Sequence, residues 1–362
     1  MSFSADDHRH MAEALRLAEK GRLTTDPNPA VGCVIVRDGE VVGRGWHREA
    51  GLPHAEVLAL QEAGYRASGA SAYVTLEPCS HHGRTPPCAQ ALIDAGIAEV
   101  VSAMSDPHAR VDGHGHEMLA RAGIRVRTGL MEDRARALNA GFVSRMERGR
   151  PWVRVKLAVS VDGMIAGGDG RSQWITSAPA REDVQLWRAR ASCLLTGIGT
   201  VIADDPRLTL RLPGIERQLL RVVVDSHGRM PPKARMLGLP GEVIVAGWAT
   251  SGGPGGEVEW WSLPDEGNGR VNLAALLERL GGRDVNEVQV EAGPRLSGAL
   301  LAAGLVDELL VYQAPCLIGE GIAMLSLPGM EKFADRLHLK QIEARRVGPD
   351  WRFRYHLSDQ EP

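Results

Sequence analysis

Three potential metal ligands stand far apart in the chain, and they restrict its fold more than any other feature. His54 opens the tripeptide His54-Ala55-Glu56, Cys79 follows Pro78, and Cys88 comes after eight further residues. Zinc favours imidazole and thiolate, and three such ligands with a fourth position left to water make a catalytic centre rather than a structural one. A chain that uses them has to bring three separate segments to one point. Zinc held in this way lowers the pKa of its water to roughly 7. Glu56 stands two residues after His54. At a helix N-terminus both side chains can face one pocket without both binding the metal. Glu56 then serves as a proton shuttle, from water to a ring nitrogen and to leaving ammonia. The competing reading is a structural zinc site, which normally requires a fourth protein ligand.

The signature H-x-E…P-C-x-x-C marks zinc-dependent base deaminases. This chain matches it at H-x-E and P-C, but the second cysteine is displaced by the polar insert Ser80-His81-His82-Gly83-Arg84-Thr85-Pro86-Pro87. The full run TLEPCSHHGRTPPC resembles the deaminase half of the bifunctional riboflavin-biosynthesis deaminase–reductases. So do PNPAVGCVIV at residues 27–36 and AGLPHAEVLAL at residues 50–60. The resemblance implies one zinc ion per chain on His54, Cys79 and Cys88, with Glu56 as the catalytic acid–base and Cys33 in the core. It leaves His81 and His82 outside the metal shell, where with Arg84 they are candidates for contact with substrate or its phosphate.

At 362 residues the chain is long enough for two domains. Strand signals alternate with helix signals throughout, so the expected class is α/β in both halves. In the first half, helices are expected around Met11, Leu15, Leu17 and Ala18, over 54–64 with Val57, Leu58 and Leu60 apolar, over 88–95 and over 117–122. Strands are expected at 33–36, 72–76 and 100–104, with Asp38-Gly39 turning a hairpin into Val41-Val42. The pattern breaks at Arg148-Gly149-Arg150-Pro151, which divides the chain into 1–149 and 150–362. Beyond it, strands are expected at 152–159, 194–195, 222–224, 243–245, 288–291 and 309–312, and helices near 180–189, 273–280 and 296–303. The Ser251-Gly252-Gly253-Pro254-Gly255-Gly256 stretch reads as a surface loop.

No GxGxxG fingerprint follows a strand in the second half. Gly197-Ile198-Gly199-Thr200 and Glu291-Ala292-Gly293-Pro294 are the local candidates for close approach to a phosphate. Taken alone, each is more often just a turn. Here too a resemblance supplies more: KLAVSVDGMIA, SQWIT, ADDPRLTLR, VVDS and EAGPRLSGALL are similar to the reductase half of the same family. It implies a cytidine-deaminase-like α/β/α sandwich followed by a dihydrofolate-reductase-like α/β domain that uses NADPH. Implied cofactor contacts are Val159, Trp174, Thr200, Asp204, Ser226, Gly293, Pro294, Arg295, Leu296, Ser297, Gly298 and Ala299. Implied substrate contacts are Ser172, Arg188, Leu208, Arg211 and Glu291, with Arg188 and Arg211 clamping a ribose 5-phosphate. Lys156 and Asp204 are the polar groups expected nearest the hydride transfer.

The implied substrate is 2,5-diamino-6-(5-phosphoribosylamino)pyrimidin-4-one, a small phosphorylated pyrimidine. It would be deaminated and then reduced on its ribosyl group to give 5-amino-6-(5-phosphoribitylamino)uracil. Two rivals are deamination of a base in RNA or a free nucleoside, and a zinc-stabilised binding module. The eight-residue insert and the net charge of -3 speak against nucleic acid as partner. Five irregularly spaced cysteines, an N-terminus unlike a secretory signal and no long apolar run lead to the expectation of a cytoplasmic enzyme off the membrane. Leu/Val clusters near the C-terminus lead to the expectation of a homo-oligomer, a dimer or tetramer.

Overall fold

The structure, a computed structural model, describes residues 2–80, 87–108, 113–248, 258–265, 267, 269–330, 332 and 335–358. The chain forms two compact units, Met1–Gly149 and Arg150–Pro362. His81, His82, Arg84 and the 251–256 loop lie outside the described residues.

The first unit runs α1 (Ala5–Gly21), β1 (Gly32–Arg37), β2 (Glu40–Trp46), α2 (Ala55–Ala63), β3 (Ser71–Val74), α3 (Cys88–Asp94), β4 (Glu99–Ser102), α4 (His114–Arg121), β5 (Arg125–Thr128), α5 (Glu132–Leu138) and α6 (Ala140–Arg148). Its sheet has the order β2-β1-β3-β4-β5. The β1–β2 hairpin is antiparallel, β1 pairs antiparallel with β3, and β3, β4 and β5 are parallel. Alternation along β1 feeds two cores. Val34 and Val36 face Met11, Leu15, Leu138 and Val143, while Cys33 and Ile35 face Ala55, Ala59, Leu92 and Leu119. A sheet covered on both faces is the α/β/α sandwich expected, and Cys33 is core.

Helix α2 packs through small side chains rather than large ones. Val57, Leu58 and Leu60 are only partly buried, and the buried face is Ala55, Glu56, Ala59 and Ala63. The cause lies in β2. A Cβ on Gly45 would stand 2.0 Å from the Ala55 carbonyl oxygen, and one on Gly43 would stand 2.2 Å from that of Ala59. Glycines on the strand and alanines on the helix let the two backbones touch, leaving no room for leucine between them.

The second unit runs β6 (Trp152–Val159), β7 (Met164–Gly167), α7 (Ala178–Arg190), β8 (Cys193–Gly197), α8 (Ile198–Asp204), β9 (Leu220–Val224), β10 (Val243–Gly247), β11 (Glu259–Ser262), α9 (Leu273–Gly281), β12 (Glu287–Val290), α10 (Pro294–Ala302), β13 (Glu308–Gln313), β14 (Gly321–Ala323), β15 (His338–Val347) and β16 (Asp350–Ser358). Nine strands form one sheet, β11-β10-β9-β8-β12-β6-β13-β16-β15, and β7 pairs with β14. From β11 to β13 every pairing is parallel; β16 and β15 add an antiparallel hairpin. The chain runs outward from β8 to β11, then returns to insert β12 between β8 and β6. Parallel sheets bind ligands outside the carboxyl ends of their strands where such a reversal occurs. One face buries α9 and α10 in a Val/Leu core; on the other, Val184 and Trp187 of α7 pack on Leu310 and Tyr312.

Candidate active sites

In the first unit the three expected ligands meet. The ligand atoms of His54, Cys79 and Cys88 all lie within 4.8 Å of one another. His54 Nδ1 is 3.2 Å from Cys88 Sγ and 3.7 Å from Cys79 Sγ, and the Cys88 backbone N–H donates to Cys79 Sγ at 3.3 Å. A tetrahedral ion with bonds of about 2.0 Å to nitrogen and 2.3 Å to sulfur needs N···S edges of about 3.6 Å. The observed spacings bracket that value, so the residues fit zinc.

Three elements deliver the ligands. His54 is the N-cap of α2, with its side chain free of capping duty. Cys79 lies five residues beyond the end of β3, and Cys88 is the first residue of α3. Glu56 sits in the first turn of α2 and is 3% exposed. Burial first, and then the charge of Cys79, pushes its carboxyl up to about 7. A hydrogen bond from Cys88 is the largest influence holding the Cys79 thiol down, at about 4, and the Cys88 thiol is raised in return. His54 is raised by its hydrogen bond with Cys79.

Two neighbours went unassigned in the sequence reading. His47 packs edge-on against His54, ring centroids 5.3 Å apart. Its Nδ1 lies 3.3 Å from the Pro53 carbonyl oxygen, and its Nε2 lies 3.2 Å from Asn28 Nδ2. Burial lowers its pKa. These contacts fix the tautomer: Nδ1–H donates to the carbonyl and Nε2 accepts from the amide. Asn28 belongs to the PNPAVGCVIV run, whose family likeness was visible while its contact with residue 47 was not.

In the second unit two contacts bring expected residues together, Arg188 with Glu291 and Thr200 with Gly293. Arg188 donates from Nε and Nη2 to the two oxygens of Glu291 at 2.7 and 2.8 Å, and from Nη1 to the Thr209 carbonyl at 2.9 Å. Gln289 donates to Glu291 at 2.9 Å. Burial opposes ionisation of Glu291, but Arg188 outweighs it and holds the carboxyl down at about 2. Lys156 on β6 interacts with both charges, and burial lowers its pKa. The two arginines expected at the ribose 5-phosphate stand in different surroundings. Arg188 is 8% exposed and committed to Glu291, whereas Arg211 is exposed, anchored by the bond from its backbone N–H to Gln185 and from its Nη1 to Thr209 Oγ1. Leu208 is buried at a positive φ of 46°, and Ser172 is half-buried.

Thr200 meets the start of α10. Thr200 Oγ1 accepts the Gly293 N–H at 3.2 Å, joining α8 to the N-cap of α10. No side chain caps α10, and Pro294 occupies its first turn. Uncapped N–H groups at a helix start beside strand ends fit the phosphates of a dinucleotide. Trp174 is 69% exposed, with the Arg181 guanidinium 4.6 Å from its ring centre. Asp204 and Arg295 are exposed; Leu296 and Ala299 are half-buried. Ser297 and Gly298 are buried, and a Cβ on Gly298 would stand 1.7 Å from the Ser326 carbonyl oxygen, so that glycine serves helix packing. Val159 is 2% exposed and its carbonyl accepts the Ala314 N–H. The Ser226 hydroxyl accepts the Val271 N–H at 3.2 Å.

A histidine–dithiolate centre with a buried carboxylate, on an α/β/α sandwich, defines a zinc-dependent deaminase; the second unit is a further α/β domain. Residues 4–104 match the family model of the cytidine and deoxycytidylate deaminase zinc-binding region, and residues 151–353 match that of the RibD C-terminal domain. The riboflavin biosynthesis protein RibD of Escherichia coli (strain K12) is 50% identical over 357 residues, 95% of this chain and 97% of its own. The structure of Acinetobacter baumannii RibD superposes with a TM-score of 0.90 at 42% identity, covering 98% of this chain and 99% of that one. A diaminohydroxyphosphoribosylaminopyrimidine deaminase/5-amino-6-(5-phosphoribosylamino)uracil reductase from Thermotoga maritima gives 0.89 at 32% identity, with the same coverage. The chain belongs to the RibD family. It is a bifunctional deaminase and reductase of riboflavin biosynthesis. Among the described residues no helix is long and apolar enough to cross a membrane.

Proposed function

We propose that residues 1–149 hydrolytically deaminate the C2 amino group of 2,5-diamino-6-(5-phosphoribosylamino)pyrimidin-4-one. Residues 150–362 then reduce the ribosyl group with NADPH to give 5-amino-6-(5-phosphoribitylamino)uracil. The observation that carries this reading is the meeting of His54, Cys79 and Cys88 within 4.8 Å beside a buried Glu56.

His54, Cys79 and Cys88 hold zinc, which when bound supplies the Lewis acidity that makes water nucleophilic at neutral pH. Glu56 takes a proton from the attacking water on its carboxylate and returns protons to the ring nitrogen and the departing ammonia. Water supplies the oxygen that replaces the amino group, so one ammonia leaves for each water consumed. His47, held neutral by burial and locked by Asn28 and Pro53, orients the His54 ring by edge-on contact.

In the second unit NADPH supplies the hydride. Its phosphates are assigned to the start of α10, at Gly293, Pro294, Arg295 and Leu296, next to Thr200, with Val159, Trp174, Asp204, Ser226 and Ala299 around it. Ser297 and Gly298 support this turn from beneath. Arg211 holds the substrate phosphate. Glu291, kept ionised by Arg188, accepts from ribose hydroxyls beside Ser172 and Leu208. Lys156, whose ammonium is disfavoured by burial, is suited to hold and release the proton that accompanies hydride.

The thiol ligands require a reducing compartment, which supports a cytoplasmic enzyme. Leu337, Leu339, Ile342 and Trp351 are 38–45% exposed on or beside the hairpin at the sheet's edge, and support a homo-oligomer. Light scattering that gives a monomer mass at micromolar concentration refutes that assignment. For the activity, the full-length zinc-loaded chain is assayed for ammonia release and for NADPH oxidation with the deaminated intermediate. Glu56→Ala abolishes the first and spares the second; ammonia release undiminished in that variant refutes the assignment.

A further inference from the structure

Glu77 stands two residues before Cys79, and its side chain is fully shut away from solvent. Its carboxylate is saturated by backbone. Oε1 accepts the N–H of Gly115 at 2.8 Å and of His116 at 3.2 Å, and Oε2 accepts those of Asp106 and Gly113, both at 3.1 Å. His116 Nδ1 lies 3.7 Å from Oε2, while its Nε2 lies 2.8 Å from Ser102 Oγ. The Glu77 backbone N–H donates in turn to the Met104 carbonyl at 3.0 Å.

These bonds tie together two chain segments that leave the sheet at the same edge. Strands β3 and β4 are parallel, with Val74 opposite Ser102, so residues 75–79 and 103–108 emerge side by side. The first turn of α4 is pressed onto the metal-binding segment itself: a Cβ on Gly115 would stand 1.9 Å from the Pro78 carbonyl oxygen. Pro78-Cys79 is therefore held by the Glu77 side chain on one side and by the α4 backbone on the other. A buried carboxylate is expensive unless its acceptor sites are filled. A serine or aspartate N-cap would have satisfied a helix start without one. The four backbone donors explain how the charge is tolerated, and its place in the chain explains what it secures.

We propose that Glu77 is a positioning residue of the deaminase centre. By fixing the Asp106 and Gly113–His116 backbone against the exit of β3, it sets the Cys79 sulfur at the distance from His54 and Cys88 that the metal requires. This inference rests on the zinc reading of the site. Groups that orient a metal's ligands without touching the metal are worth 10–100-fold in affinity.

The test is Glu77→Gln in the full-length chain. An amide of the same shape offers one acceptor oxygen, and its NH2 faces two of the four N–H donors. Metal-free protein is titrated with zinc against a chromophoric chelator at 25 °C, where the fold is intact by circular dichroism. The expected result is a zinc Kd weakened about 10–100-fold, together with altered visible absorption of the cobalt(II)-substituted site. NADPH-dependent reduction by the same chain is expected to be unchanged. If the glutamine variant does not fold, Glu77→Asp takes its place; it keeps the charge but withdraws it by one methylene, and a Kd weakened about 3–10-fold is expected, part of the same effect. Wild-type zinc affinity in whichever variant folds overturns the inference. Failure of the wild-type chain itself to bind zinc overturns the underlying reading of the site instead.

Discussion

Gly45→Ala tests how the fold builds the deaminase centre. The new Cβ would stand 2.0 Å from the Ala55 carbonyl oxygen and 2.6 Å from the Ala59 nitrogen, both main-chain atoms of α2. A carbon needs about 3.3 Å from a carbonyl oxygen, so α2 has to retreat from β2 by about 1.3 Å. His54 and Glu56 travel with the first turn of α2, while Cys79 and Cys88 are carried by other segments. The N···S spacings of 3.2 and 3.7 Å would open beyond the edge a zinc tetrahedron spans. A misplacement of about 1 Å at a reacting centre costs on the order of 10²-fold in rate, and the overpacking itself costs about 1–3 kcal/mol. The assay is ammonia release against NADPH oxidation in one preparation. The expected outcome is a roughly 10²-fold loss of deamination with reduction intact. Deamination within about threefold of wild type, with zinc retained, would refute the claim that backbone contact between β2 and α2 positions the ligands.

Other outcomes follow from the same geometry. Glu56→Gln keeps zinc at wild-type stoichiometry but loses about 10²–10⁴-fold in deamination; metal analysis beside kinetics separates this from simple loss of the ion. A strong chelator abolishes ammonia release while leaving reduction of the deaminated intermediate untouched, and added zinc restores the first activity. Arg188→Met leaves Glu291 without its guanidinium partner and destabilises the second unit by up to about 3–5 kcal/mol near neutral pH in urea unfolding. Glu291 ionises at about 2 in the folded chain against an ordinary 4.5. The wild type therefore holds this stabilisation above pH 4.5 and loses it as pH falls toward 2, so the penalty of Arg188→Met shrinks in acid. A penalty independent of pH would contradict the pairing.

The metal centre was legible because its chemistry needs particular side chains in short motifs: His54-Ala55-Glu56, Pro78-Cys79 and Cys88 stand in the sequence as they stand in the site. The strand over Trp152–Val159 was legible too, since β-branched residues recur there between a Gly/Pro break and a turn. What escaped falls into four kinds. Strand β5, Arg-Val-Arg-Thr, lies at a sheet edge and shows few apolar residues. Helices α5 and α6 bury little, Ala135 and Leu138 in the first and Gly141, Val143 and Ser144 in the second. Helix α8 was hidden behind Gly197 and Gly199, which read as a phosphate turn. The β15–β16 hairpin did carry a signal: Trp351, Phe353, Tyr355 and Leu357 alternate with Arg352, Arg354 and His356. The arginines reach inward to Glu343, Asp183 and Glu308, so an apolar-inside reading of that strand misses it. In the reductase half, the bond between Thr200 and Gly293 and the commitment of Arg188 to Glu291 join residues about a hundred apart. Composition cannot reveal such pairs.

Zinc K-edge X-ray absorption on the full-length chain as purified reads the metal's ligands outright. The expected result is one zinc per chain, with two sulfurs at about 2.3 Å and one nitrogen and one oxygen at about 2.0 Å, the oxygen position being open to exchange. A shell of four protein ligands, or a sulfur count other than two, would contradict a catalytic centre built from His54, Cys79 and Cys88.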